Sequence, residues 1–163
     1  MNRVLVIGCP GSGKSTFSGA LREKTGLPLI HLDRLYWNAD RTTVEKEVFR
    51  RRLRDALEGE TWIIDGDYAS TMELRLQRCD TVFFLDYPEE VCLSGVRERV
   101  GKPRTDLSWT ETEEDAELIR VVQNYRQDKR PVVLELLQRY ADKEIHVFTS
   151  RREAAVFLEN MTI

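Results

Sequence analysis

The stretch that most limits what this chain can become is GCPGSGKST, residues 8–16. It directly follows the apolar run Arg3–Ile7 and leads into a segment of helical period from Lys14 to Lys24. The spacing Gly8-x-x-x-x-Gly13-Lys14-Ser15, set between a strand and a helix, is that of a phosphate cradle. Glycines in such a loop let the backbone take positive φ and turn its N–H groups inward. The start of the next helix adds its dipole, so the loop holds anions. A lysine at its end reaches the β- and γ-phosphates of a nucleotide, and the hydroxyl beside it is a Mg2+ ligand. Gly8, Cys9, Pro10, Gly11, Ser12, Gly13, Lys14, Ser15 and Thr16 are therefore expected to bind a nucleoside triphosphate, with Ser15 also holding metal.

Downstream, short β-branched runs alternate with longer segments of helical period, the pattern of a parallel sheet wrapped by helices. The strands expected are Arg3–Ile7, Pro28–His31, Trp62–Asp65, Thr81–Leu85 and Glu144–Phe148. Gly26 closes the first helix and Pro28 prevents its continuation. A second helix is expected to start near Thr42, whose T-x-x-E spacing to Glu45 is that of a capping box, and to run to Gly59. Pro88 opens another, to about Val100. A longer pattern with Leu118, Ile119, Val122 and Tyr125 on one side reaches Pro131, which kinks it or starts a new helix through Tyr140. Arg152–Glu159 is the last helix. No repeat, low-complexity tract or linker interrupts the 163 residues, so a single domain is expected.

Composition narrows the partners. With 25 Lys and Arg against 28 Asp and Glu, net charge −3, the chain makes no overall electrostatic case for nucleic acid or anionic membrane. Cys9, Cys79 and Cys92 are widely spaced, without CxxC or histidine neighbours, and read as reduced, buried thiols rather than a disulfide framework or zinc site. No run approaches 18 apolar residues and the N-terminal run is too short for a signal peptide, so a soluble cytoplasmic protein is expected, a monomer or weak dimer.

Ligands of open α/β sheets sit beyond the carboxyl ends of the strands, which draws attention to HLDRLYW and WIIDGDY. Asp33 is open between a partner for an acceptor hydroxyl and a helix N-cap. Asp65 either holds Mg2+ through water or caps the turn before Gly66, and Asp67 is a turn residue or an acceptor contact. A transferred phosphoryl group spreads charge over three oxygens and is stabilised by guanidinium groups from a mobile segment. Arg97, Arg99, Lys102 and Arg104 surround Gly101 and Pro103 in such a polar stretch. Arg126 and Arg130, four residues apart, are expected to share a helical face aimed at the same pocket. The competing reading makes these arginines surface charges. Arg50, Arg51 and Arg52 read as the exposed side of an amphipathic helix.

Taken together, GCPGSGKST, HLDRLYW, WIIDGDY, the R-x-R-x-G-K-x-R stretch and NYRQDKRP resemble the adenylate-kinase-like group of P-loop kinases. Within it, the chain is most similar to the small bacterial DNA topology modulation proteins, over nearly its whole length. The resemblance implies a P-loop three-layer αβα sandwich, its five-stranded parallel sheet in the order 2-3-1-4-5. It also implies an acceptor-binding insertion at about 33–59 and a short lid at about 101–113. Adenylate kinases carry two arginines that grip the acceptor's monophosphate. Tyr36 and Ala69 stand at the matching positions here, so that grip is lost unless Arg34, Arg51 or Arg75 replaces it. Asp33 followed by Tyr36 and Trp37 resembles instead the segment with which uridine-kinase-like enzymes hold a nucleoside hydroxyl.

The expectation is therefore in-line transfer of the γ-phosphoryl of Mg-ATP to a small-molecule hydroxyl. Lys14, Asp33, Arg99, Arg104, Arg126 and Arg130 are the catalytic candidates, and Ser15 and Asp65 the Mg2+ ligands. No N-K-x-D motif reads a guanine base, and the base is expected against Arg99 or the turn Thr149–Arg152. A nucleotide-gated regulator touching DNA through RRRLR, and a simple triphosphatase, are the alternatives.

Overall fold

The computed structural model describes residues 1–162. Its five strands are β1 (Arg3–Gly8), β2 (Leu29–His31), β3 (Trp62–Asp65), β4 (Thr81–Leu85) and β5 (Glu144–Phe148). All pair in parallel, in the order β2-β3-β1-β4-β5. The central strands read as unbroken apolar runs because both faces are covered. Leu5, Ile7, Ile64, Val82 and Phe84 point to one face, and Val4, Val6, Ile63, Phe83 and Leu85 to the other. Each such side chain contributes about 1.5–3 kcal/mol by leaving water.

Among the described residues, eight helices supply the covering: α1 (Lys14–Thr25), α2 (Leu32–Tyr36), α3 (Lys46–Leu57), α4 (Ala69–Arg78), α5 (Glu89–Glu98), α6 (Ala116–Asp128), α7 (Arg130–Arg139) and α8 (Arg151–Asn160). The first face packs on Phe49, Leu53 and Leu57 of α3, Met72 and Leu76 of α4, and Val133, Leu136 and Leu137 of α7. The second packs on Phe17 and Leu21 of α1, Cys92 and Val96 of α5, Val122 and Tyr125 of α6, and Ala154 of α8. All three cysteines are free and buried. No helix among the described residues is long and apolar enough to cross a membrane.

Local chemistry sets the helix ends. Gly26, at φ 73°, returns its N–H to the Arg22 carbonyl and stops α1. Asp115 caps α6 by accepting from the N–H groups of Glu117 and Leu118. Pro131 lies in the first turn of α7 and separates it from α6. Thr42 does not cap a helix, contrary to the capping-box expectation. Asp40 Oδ1 takes both the backbone N–H and the hydroxyl of Thr42, at 3.0 and 2.5 Å. Residues 36–44 then turn back on themselves through the Trp37–Thr43 bridge, and α3 begins only at Lys46.

Two helices were not expected from the sequence. α2 is a single short turn after β2. α4 turns a face of Thr71, Met72, Arg75 and Leu76 inward, and Arg75 has no exposed surface. Its guanidinium donates to three successive carbonyls of the turn after β3: Gly66 at 2.9 Å, Asp67 at 2.6 Å and Tyr68 at 3.1 Å. Burial pushes its pKa down to about 10. Arg75 is thus committed to the backbone, and does not take the place of the missing acceptor-gripping arginine. Arg75→Met removes all three donors and strands buried carbonyls, so urea denaturation should show a loss of about 3 kcal/mol or more.

Candidate functional site

At the carboxyl ends of β1, β2 and β3 lies a cavity of about 900 Å³. That is near the upper end of the usual range for ligand pockets. Its floor is the loop between β1 and α1. Gly11, at φ 82°, and Gly13, at φ 93°, take left-handed conformations that a side chain resists. Pro10, Gly11, Gly13, Lys14, Ser15 and Thr16 line the cavity, while Gly8, Cys9 and Ser12 form the buried underside of the loop. Lys14 Nζ donates to the carbonyls of Gly8, at 2.8 Å, and Cys9, at 3.2 Å. An ammonium has three donors, so one remains for a phosphate oxygen.

The loop is held from behind by α5. A Cβ on Gly11 would lie 2.1 Å from the Cys92 carbonyl oxygen, and one on Gly95 would lie 1.9 Å from the Gly11 carbonyl oxygen. Only paired glycines permit so close an approach. Beside this contact the Cys9 thiol meets that of Cys92. That hydrogen bond and burial push the Cys9 pKa up, so Cys9 is a packed thiol rather than a nucleophile.

Two strand-end carboxylates enter from the side. Asp65, the last residue of β3, is buried, and its Oδ2 lies 2.7 Å from His31 Nδ1 at the end of β2. Asp33, in the only full turn of α2, receives the Tyr68 hydroxyl. Burial raises the Asp33 pKa, opposed by that hydrogen bond and reinforced by the nearby charge of Asp106. Tyr68 itself sits at φ 25°, a strained position for a tyrosine, on the turn clamped by Arg75. Asp67 on the same turn faces the cavity, and its Oδ1 is shielded from solvent with no hydrogen-bond partner.

The residues between α5 and α6 form the opposite wall. Arg104 makes a two-point contact with Asp106, at 2.9 and 2.7 Å, and reaches Glu111 at 2.8 Å. Arg99, which follows α5, also lines the cavity, and its Nε is buried without a partner. Burial and the adjacent Arg104 charge lower its pKa, outweighing the charges of Glu111, Asp106 and Asp33. Trp109 meets Trp37 edge-on, with ring centroids 5.6 Å apart, and Arg41 lies over the Trp109 ring. Arg34 Nε donates to the Thr105 carbonyl at 2.7 Å, so the segment after β2 and the segment after α5 touch across the mouth.

Lys14, Ser15, Asp33, Asp65, Arg99 and Arg104 are thus brought to one cavity. Arg126 and Arg130 are not. They fall on different helices, α6 and α7, which corrects the expectation of a shared face. Neither lines the cavity, and Arg130 is paired with Asp86 at 2.8 and 2.9 Å. Of the two aromatic candidates, Trp37 lines the cavity, whereas Tyr36 packs against Phe49 and Tyr68. Sequence reasoning missed His31, Tyr68, Asp106 and Trp109. All four lie inside segments already singled out, His31 in HLDRLYW, Tyr68 in WIIDGDY, and Asp106 and Trp109 in the stretch 101–113, but nothing in the residue pattern assigned them a role.

The donors fit the groups the loop implies. Ser15 and Asp65 offer the hard oxygens that Mg2+ prefers. The open space over Gly13, where a Cβ would meet nothing within 4 Å, leaves room for a phosphate against the backbone. Among the described residues, no three His, Cys, Asp or Glu side chains are gathered closely enough to hold a metal ion unaided.

No protein-family model matches the chain, and no curated protein sequence matches it. Solved structures do. The crystal structure of shikimate kinase from Bacteroides thetaiotaomicron is similar at 18% identity and TM-score 0.61, with 97% of this chain and 94% of that one covered. Shikimate kinase from Acinetobacter baumannii in complex with shikimate is similar at 17% identity and TM-score 0.65, covering 98% and 89%. An unliganded sugar kinase from Janibacter sp. HTCC2649 gives 18%, 0.59, 98% and 91%. At these identities the likeness is one of fold: the chain has the P-loop sandwich with strand order 2-3-1-4-5.

Replacing Gly95 by alanine tests the brace behind the loop. The added methyl drives the Gly11 carbonyl away and should cost about 1–3 kcal/mol of stability. Scanning calorimetry should show this as a melting temperature lower by about 2–4 °C per kcal/mol lost.

Proposed function

We propose that this protein is an ATP-dependent phosphotransferase that moves the γ-phosphoryl group to a hydroxyl of a small acceptor, a nucleoside or a similar ring-bearing metabolite. The observation that carries the reading is that Asp33, partnered by the Tyr68 hydroxyl, faces the same cavity as Lys14 and Ser15. A phosphate cradle alone would serve a switch or a hydrolase. A half-buried carboxylate across from it supplies what a hydroxyl acceptor needs. The kinases of like fold support the same class, and the motif resemblance to DNA topology modulation proteins is compatible with it.

In this reading the loop N–H groups and the third donor of Lys14 hold the triphosphate. Ser15 and Asp65, the latter oriented by His31, are the residues that would hold Mg2+, which supplies charge neutralisation across the β- and γ-phosphates. Asp33 orients the acceptor hydroxyl and takes up its proton. Arg99, whose Nε lacks a partner, stabilises the charge of the group in transit. Trp37 and Trp109 wall the acceptor's ring, and the base rests by the turn Thr149–Arg152, from which Arg151 lines the cavity. The segment near 101–113 acts as a lid and residues 33–59 as the acceptor-binding insertion, both within one domain. Arg34 and Arg75 are committed to partners within the chain, and the exposed Arg51 does not line the cavity, so none of the three replaces the lost grip on a monophosphate, which favours an uncharged acceptor.

The experiment is ADP release from Mg-ATP with nucleosides, nucleoside monophosphates and sugars supplied in turn. One neutral acceptor should stimulate turnover. Lys14→Ala should reduce it by about 10²–10³-fold, the scale for losing one donor to transition-state charge, and Asp33→Asn should remove the stimulated part. Turnover that no acceptor changes would sink the reading in favour of a hydrolase.

The pH dependence has a definite sign. Burial raises the Asp33 pKa, so the base is lost to protonation at a higher pH than an ordinary carboxylate would be. The acid limb of kcat/KM should therefore lie above the usual aspartate range, and should move further up in Tyr68→Phe, which removes the hydrogen bond that opposes burial and keeps the ring in place.

A further inference from the structure

The function proposed above draws its cations from the loop and from the segment after α5, and leaves Lys129 without a role. The spacing in NYRQDKRP points to arginines aimed at the cavity, yet the residue of that stretch that lines it is Lys129. Pro131 is the reason. Its ring lacks an N–H and crowds the carbonyl four residues back, so the helix breaks at Lys129, between the end of α6 at Asp128 and the start of α7 at Arg130. Arg126 stays on the exposed side of α6 and Arg130 turns to Asp86, while Lys129 is left half-buried at the joint.

The joint is anchored at the phosphate end of the cavity. Arg130 bonds to Asp86, Asp86 follows Leu85 at the end of β4, and Leu85 is paired with Gly8 on β1. Gly8 is also the residue whose carbonyl takes Lys14 Nζ at 2.8 Å. This run of short contacts brings the stem of Lys129 to the end of the cavity where Lys14 presents its remaining donor.

The two lysines differ in what holds them. Among the described residues, every ion pair belongs to an arginine or a histidine. Lys14 is the one lysine among them whose ammonium donates a hydrogen bond. Lys129 therefore keeps all three donors for a ligand. Asp67 lines the cavity too, but it is not within ion-pair distance of Lys129. A half-buried ammonium gives up hydration that nothing in the chain returns. Arg41 and Lys102, also on the cavity, are exposed and keep theirs.

We propose that Lys129 binds the γ-phosphoryl group of the nucleotide, its ammonium bonding to an oxygen that Lys14 and the loop leave open. The inference deepens the nucleotide reading above and rests on it. A phosphoryl group in transit spreads its charge over three oxygens. Lys14 meets it from the loop, Arg99 from the wall after α5, and Lys129 from the joint between α6 and α7. A compact charge on a flexible stem suits this place, because its donors can follow an oxygen that moves. ADP, which lacks the γ-phosphoryl group, does not reach Lys129.

The test is calorimetric titration of the full chain, in excess Mg2+, with ADP and with a non-hydrolysable ATP analogue. Wild type, Lys129→Met, Lys129→Arg and Arg126→Gln are compared. Lys129→Met keeps most of the stem and removes the charge. It should bind the analogue about 10-fold or more weakly than wild type, the scale of one charge-assisted hydrogen bond, with ADP affinity unchanged. Its melting temperature should not fall, since no bond within the chain is lost. Lys129→Arg should recover part of the loss, and Arg126→Gln should match wild type for both nucleotides.

Undiminished analogue affinity in Lys129→Met overturns the proposal. So does a loss shared equally by the analogue and ADP, which marks a structural role at the joint between α6 and α7. If wild type binds neither nucleotide, the nucleotide reading itself falls, a result distinct from both of these.

Discussion

The contact between Gly11 and Gly95 is the constraint on which the cavity depends. Backbone N–H groups bind an anion only when aimed together, and a glycine-rich loop left to itself samples many conformations. Here the loop lies against the flank of α5 so closely that neither glycine has room for a methyl group, and Lys14 ties its ends by bonding to Gly8 and Cys9. Much of the loop's conformational entropy is thus surrendered on folding rather than on binding. The two sheet faces serve the same end, since they fix β1 and α5 relative to one another through Val4, Val6, Phe83, Cys92 and Val96.

A second rigid element faces the first. The turn after β3 carries Asp65, Asp67 and the strained Tyr68, and it is held by Arg75 from below and by His31 from the side. Strain at Tyr68 persists because the surroundings over-determine it, and its consequence is a hydroxyl delivered to Asp33. The wall between α5 and α6 differs from both. It has no regular secondary structure and is held by charge pairs, Arg104 with Asp106 and Glu111 and Arg97 with Glu114, together with one backbone bond from Gly101 to Glu111. Two braced walls and one held mainly by side chains is an arrangement in which the third can move without disturbing the others.

The sheet and the phosphate loop were legible in the sequence for physical reasons. Strands buried on both faces must be apolar throughout, and a loop that wraps phosphate must be glycine-rich. α4 was not legible because its inward face contains Arg75, which breaks the apolar period that marks a helix. Its partners are backbone carbonyls, which no residue pattern reveals. Thr42 misled because the capping-box spacing also fits a tight turn, and Asp40 was close enough to win both of its donors. Arg126 and Arg130 misled because Pro131 starts a new helix, so a spacing that means one face within a helix meant nothing across the break. His31 and Asp65 lie 34 residues apart and meet only because β2 and β3 are neighbours, a fact of topology. The arginines around Gly101 were read either as guanidinium groups for a moving phosphoryl or as surface charges. Asp106 and Glu111 change that for Arg104 and leave Arg99 as the one with an empty donor.

The placement of the three tryptophans has a spectroscopic consequence. Trp62 is sealed in the core at 1% exposure, while Trp37 and Trp109 meet across the cavity mouth, one on each of the segments that touch there. Indole emission shifts with local polarity and is quenched by close neighbours. The first ring therefore gives a steady background, and the other two a signal that would report any change in the distance between those segments, readable on a stopped-flow timescale without a label.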